Sequence, residues 1–76
     1  MEPRELELVT FVDGEELRPN ERDGLSIWFM PWGCYHERSD PVIEARRACG
    51  NGYVVSSHFP WHRVDAVMYK MKGGGT

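Results

Sequence analysis

Two histidines four positions apart, His58 and His62, are the first residues whose spacing suggests chemistry. Zinc takes four nitrogen or sulfur ligands, and His58 and His62 together with Cys34-x-His36 would supply four. No Cys-x-x-Cys knuckle accompanies them, and Pro60 lies between the two histidines. The alternative stays open that His58 and His62 bond to backbone at a corner while Cys34 and Cys49 fill small apolar gaps. Without a secretory leader, the two cysteines are expected to stay reduced. Nucleophilic catalysis would need a thiol or hydroxyl beside a base that a third group orients. Cys34, His36 and Glu37 are sequence neighbours on one connection, where side chains rarely converge, and no oxyanion loop accompanies them. The chain therefore reads as non-enzymatic, with no catalytic residue and no required cofactor, zinc being the one conceivable ion.

Arginines with aromatic residues form the second constellation. Arg46, Arg47 and Arg63 can grip a phosphate or carboxylate bidentately. Trp32, Tyr35 and Trp61 are aromatic faces on which a base or a partner side chain can stack, and His62 adds a polar ring. These seven residues are the candidate binding set: Trp32, Tyr35, Arg46, Arg47, Trp61, His62 and Arg63. Neighbours on a strand point to opposite faces, so Arg46 and Arg47 cannot both serve one surface. The run Trp28-Phe29-Met30-Pro31-Trp32 is apolar on both faces of a strand, which suggests an interface as well as a core.

Charge narrows the partners. The chain has 76 residues and a net charge of −3. The first 23 residues hold eight acids and three arginines, whereas the remainder holds six bases and four acids. Sequence-independent DNA binding needs many phosphate contacts and a basic domain, so bulk DNA binding is excluded. The acids, Glu15-Glu16 among them, read as a solvated face or as a phosphate mimic that occupies a basic site on another protein. The latter is how small acidic inhibitors work. Compact acidic chains of this kind also suit accessory proteins of phages and other mobile elements.

These side chains must be positioned by short strands. Glu5 to Val12 alternates in its first half and then meets the turn dipeptide Asp13-Gly14. On that alternation Leu6, Leu8, Thr10 and Val12 share one face, and Val9 and Phe11 the other. Residues 15–18 continue as a short second strand and 19–24 as a loop. Residues 25–30 are the strongest strand, with Trp28 and Met30 on one face and Phe29 on the other. Residues 34–41 have the composition of an exposed connection. For residues 42–48, Asp40-Pro41 would cap a helix, but Val42-Ile43 favours strand, and strand is the preferred reading. Asn51-Gly52 marks a hairpin turn, 53–57 a returning strand, 58–62 a tight corner and 63–70 a last strand. In that last strand Val64, Ala66 and Met68 face one way, and Asp65, Val67 and Tyr69 the other.

The predicted fold is thus all-β or mostly β. It is a small, strongly bent antiparallel sheet, or an SH3- or Sm-like barrel, of five to six short strands. One domain spans 1–72, and 73–76 is a flexible glycine-rich tail. The longest apolar run, 27–32, is far short of the ~20 residues of a spanning helix, so no membrane span is expected. The acidic N-terminus lacks an apolar leader, and the expected location is cytoplasmic. Incomplete closure of the sheet would leave edges that drive ring or dimer formation, so a homo-oligomer is expected.

The segment Tyr53-Val54-Val55-Ser56-Ser57, the corner after it, and His62-Arg63-Val64-Asp65-Ala66-Val67 resemble the last strand, corner and strand of Sm-like proteins of the Hfq type. Leu8-Val9-Thr10-Phe11-Val12-Asp13-Gly14, followed by Leu17, resembles their first hairpin. The resemblance covers about a third of the chain. It implies a ring or dimer built by strand pairing, with a ligand site near His62 and Arg63, and uridine-type RNA binding does not follow from it, since fold does not fix function. Trp61 stands where that family's Lys-His pair has its lysine, and the N-terminal helix of uridine-binding rings has no counterpart here. The function expected first is a non-enzymatic protein that binds and regulates or inhibits a partner protein. An Sm-like oligomer binding a nucleotide or short RNA and a zinc-stapled interaction module are the alternatives.

Overall fold

Alternating apolar residues separated by Gly, Asn and Pro turns leave this chain little choice but short strands. The computed structural model describes residues 2–31 and 40–71. Its strands are β1 (Arg4–Phe11), β2 (Glu16–Leu17), β3 (Leu25–Met30), β4 (Val42–Ala48), β5 (Val54–Pro60) and β6 (Val64–Tyr69). Single 3₁₀ turns at Glu21–Asp23 and Trp61–Arg63 join β2 to β3 and β5 to β6. No α-helix occurs among the described residues, and none is long and apolar enough to cross a membrane. Trp32, Cys34, Tyr35 and His36 of the candidate sets, and the 73–76 tail, lie outside the described residues.

All pairing is antiparallel, in one six-stranded sheet ordered β2-β1-β3-β4-β5, with β6 on the other edge of β1. β1 is shared: Arg4–Leu6 pair with β3, Val9 and Thr10 with β2, and the opposite edge with β6. The sheet bends enough for Phe11 of β1 to meet Phe59 of β5, with ring centroids 5.3 Å apart. It does not close into a barrel: among the described residues β5 pairs only with β4. β2 ends after two residues; Pro19 follows close behind and has no N–H to extend a ladder. Of the two predicted forms the bent open sheet is the one adopted. Residues 42–48 are a strand, as preferred, since Ile43 and Ala45 are buried on its inner face.

The core is Leu6, Val9, Phe11, Ile27, Ile43 and Ala45. Leu17, Phe29, Phe59, Val64 and Val67 pack around it. This set corrects the simple alternation expected of β1 and β6. The register steps from Leu6↔Tyr69 to Leu8↔Met68, so Glu7 is an extra residue, and from Thr10↔Ala66 to Phe11↔Val64, so Asp65 is another. Each bulge moves the following residues to the other face. Leu6 therefore shares the inner face with Val9 and Phe11, and Val64 shares it with Val67, while Met68 is exposed.

Two turns fix the strand ends. Asn20 Oδ1 accepts from the N–H groups of Arg22 and Asp23 at 3.0 and 3.4 Å. Gly24 then turns at φ 66°, and a Cβ there would lie 3.1 Å from Ala48 Cβ, so both conformation and space demand glycine. β5 runs further than expected, through His58 and Phe59 to Pro60, because Phe59 gains burial by facing inward. The corner is correspondingly the later turn Trp61–Arg63.

Ile27 has no exposed surface and pairs with both Leu6 and Ala45. Ile27→Ala is expected to remove roughly 2–4 kcal/mol, most of what a core of this size supplies. Glu7→Ala at the exposed bulge should change stability by less than about 0.5 kcal/mol. Urea denaturation followed by circular dichroism measures both; equal losses would contradict this description of the core.

Candidate binding surface

The outer face of β3, β4 and β5 carries a polar network set by strand register. Trp28 lies opposite Glu44, and Glu44 opposite His58; Ser26 lies opposite Arg46. Arg46 Nε donates to Glu44 Oε1 at 2.6 Å, and the Arg46 guanidinium lies 4.7 Å from the centre of the Trp28 ring. The Trp28 indole N–H donates to Ser26 Oγ at 3.0 Å. His58 Nε2 meets Glu44 Oε2 at 3.0 Å, and because a carboxylate only accepts, that nitrogen carries the hydrogen. Partial burial pushes the Glu44 pKa up. The Arg46 and His58 bonds to its two oxygens outweigh that and hold it below the ordinary carboxylate value.

Both oxygens of Glu44 and much of Arg46 are thus committed within the sheet. The network cross-ties three strands through Glu44, bonded on both oxygens, and through Arg46, held by Glu44 and set over Trp28. His58, half of the His58/His62 pair proposed for zinc, faces a carboxylate rather than an open site. Cys34 and His36 lie outside the described residues, and no group of three or more metal-ligating side chains occurs among those that are described.

The remaining sequence candidates take separate partners. Trp61 packs against Phe29 in a tilted pair, with centroids 5.2 Å apart and the ring planes at 56°. With His62 it lines a cleft of about 330 Å³ whose other walls are Asp40, Pro41, Val42 and Pro60. Arg63 reaches Asp13 at 3.6 Å and lies over the Phe11 ring. Arg47, on the face opposite Arg46, lines a groove of about 360 Å³ with Leu17, Leu25, Ala45, Val55, Ser57 and Phe59. The structure therefore pairs Trp61 with His62 and gives Arg46, Arg47 and Arg63 three different surroundings.

Sequence reasoning missed the outer edge of β5. Cys49 N–H donates to Tyr53 C=O at 2.8 Å, which sets the phase of the β4–β5 ladder. Bonded and non-bonded pairs alternate from there, so Arg47, Ala45 and Ile43 exchange bonds with Val55, Ser57 and Phe59. The backbone polar groups of Val54, Ser56 and His58 consequently face away from β4, and no strand among the described residues pairs with them. Pro60 occupies the next outward position, where its missing N–H disturbs no ladder bond. From Val54 to Pro60 the strand contains no Lys, Arg, Asp or Glu, and Val54 and Val55 are 59% and 55% exposed. The signal in the sequence was that absence of charge, since exposed edges are ordinarily guarded by it.

Comparison with protein-family models, with curated proteins and with solved structures gave no match.

The depressed Glu44 pKa has a pH signature. The unfolded chain binds this proton more readily than the folded one, so the stabilisation is complete above about pH 4.5 and is lost as pH falls through the folded value. Glu44→Gln should lower stability near neutral pH by about 1 kcal/mol. It should also flatten the fall in urea midpoint between about pH 6 and pH 3. An unchanged acid limb would show that Glu44 is not a linked carboxylate.

Proposed function

We propose that this chain is a small non-enzymatic binding protein whose partner is another protein, engaged by strand addition at the outer edge of β5. The observation that carries this reading is the uncharged, uncovered edge itself. Its outward N–H and C=O groups are unpaired among the described residues, and main-chain hydrogen bonds are what strand addition uses for affinity. The cross-tied outer face next to it supplies rigidity, so docking there orders little of the chain and loses little entropy. Regulation or inhibition of the partner follows if the added strand is one the partner needs for its own contacts.

The second reading is a homo-oligomer. It is supported by a second edge, that of β6, which pairs with no strand but β1 among the described residues. A copy offering β6 to a neighbour's β5 makes a head-to-tail contact that closes into a ring or continues as a filament. Light scattering across a hundredfold range of concentration separates the two readings: a constant 8.8 kDa monomer leaves the edges free for another protein. A larger species favours self-pairing.

Ser56→Pro tests the leading reading directly. It deletes an N–H that faces outward, so the β4–β5 ladder keeps its bonds while an added strand loses one. Proteins retained by the wild-type chain on an affinity column and lost with Ser56→Pro should slow amide hydrogen exchange at Val54, Ser56 and His58. Slowed exchange confined to other strands would overturn the proposal.

A further inference from the structure

The groove and the free edge belong to one site. β5 forms one wall of the groove through Val55, Ser57 and Phe59, and Leu17 of β2 forms the facing wall. Leu25, Ala45 and Arg47 of β3 and β4 make its floor. It is the seam along which the sheet would have closed had β2 been longer. Leu25, Arg47 and Val55 lie in register at one end of the ladder, whereas the connection between β3 and β4 leaves from the other end, at Met30 and Val42.

A strand laid on the β5 edge has a defined geometry. Its backbone bonds to Val54, Ser56 and His58, and its alternate side chains fall on the inner face, over the groove. A volume of about 360 Å³ holds a few aliphatic side chains, and Leu17, Leu25, Val55 and Phe59 are apolar contacts for them. One position differs. Arg47 is exposed at the groove and takes no carboxylate among the described residues, while Glu16 beside Leu17 is already bridged to Arg18 at 3.3 Å.

We infer that the seam between β2 and β5 is a binding site for an extended peptide segment with apolar residues at alternate positions and one inward acidic residue opposite Val55, from where it reaches Arg47 on the next strand. This rests on the strand-addition reading and adds to it the chemistry of the segment. Charge complementarity at Arg47 selects the acidic residue; the apolar floor and walls select its inward neighbours; the Val54–His58 edge selects extended backbone.

The test uses the full chain, isotopically labelled, and blocked octapeptides in which valine alternates with threonine. One inward valine is replaced by Asp, Ser or Lys. In heteronuclear NMR titrations the Asp peptide should shift the Val54, Ser56 and His58 amides and the Leu17 and Arg47 side chains. It should bind roughly fivefold more tightly than the Lys peptide, as befits an exposed charge contact. Arg47→Glu, an exposed change that leaves the core untouched, should invert that order. The inference is overturned if no peptide binds in the millimolar range, if the shifts map to β6, or if Arg47→Glu leaves the order unchanged. In those cases a partner still lost on Ser56→Pro would keep strand addition standing and remove only the seam. If partner capture survives Ser56→Pro as well, both fall. Protection of the β5 amides in a self-associated free chain would assign the edge to a second copy and overturn the peptide site.

Discussion

Everything in this fold depends on β1 having three partners. Two edges of one eight-residue strand serve β2, β3 and β6, so a single segment ties the beginning, middle and end of the chain into one sheet. An untwisted, unbulged strand could not do this and still face one core. The extra residue at Glu7 turns Val9 and Phe11 to the same side as Leu6, and the extra residue at Asp65 lets β6 follow. Bulges also increase local twist, which bends the sheet until Phe11 reaches Phe59. Among the described residues six side chains are buried, and the bend wraps the sheet around them.

Most of the strand plan was legible from residue order, since alternation, Asp13-Gly14, Asn51-Gly52 and the run 25–30 are local signals. Facing was less so. A period-two pattern cannot announce a bulge, because Glu7 and Asp65 are ordinary strand-surface residues, and only the register with a partner at the far end of the sequence reveals them. The length of β5 was hidden for a related reason: Pro60 reads as a breaker until its outward position in the ladder is known. Among the site residues, the spacing of Arg46 and Arg47 correctly separated them onto two faces. The pairing of Glu44 with His58 was invisible, because it joins residues on adjacent strands whose register no local motif specifies.

The two faces of the β3–β4–β5 region divide the work. On the outer face Glu44 is bonded on both oxygens and Arg46 is stacked on Trp28, so polar groups are used to hold strands in register. On the inner face the apolar floor is continuous from the core to the groove at Arg47, and there the sheet stops short of covering itself. Stability and recognition thus draw on opposite sides of the same three strands. A surface change on the outer side would loosen the sheet, whereas one in the seam would alter what the sheet can hold.

The ladder between β1 and β6 joins Leu6 to Tyr69 and Phe11 to Val64, contacts between near-opposite ends of the described chain. Such distant pairings raise contact order, and sheets dominated by them fold in milliseconds to seconds rather than microseconds. During synthesis the first strand leaves the ribosome long before the last one exists. Its inner residues, and the edge that β6 will cover, stay open for that interval. Completion is therefore a late, all-or-none event in the life of the chain, and loss of the final strand would forfeit far more than its own six residues.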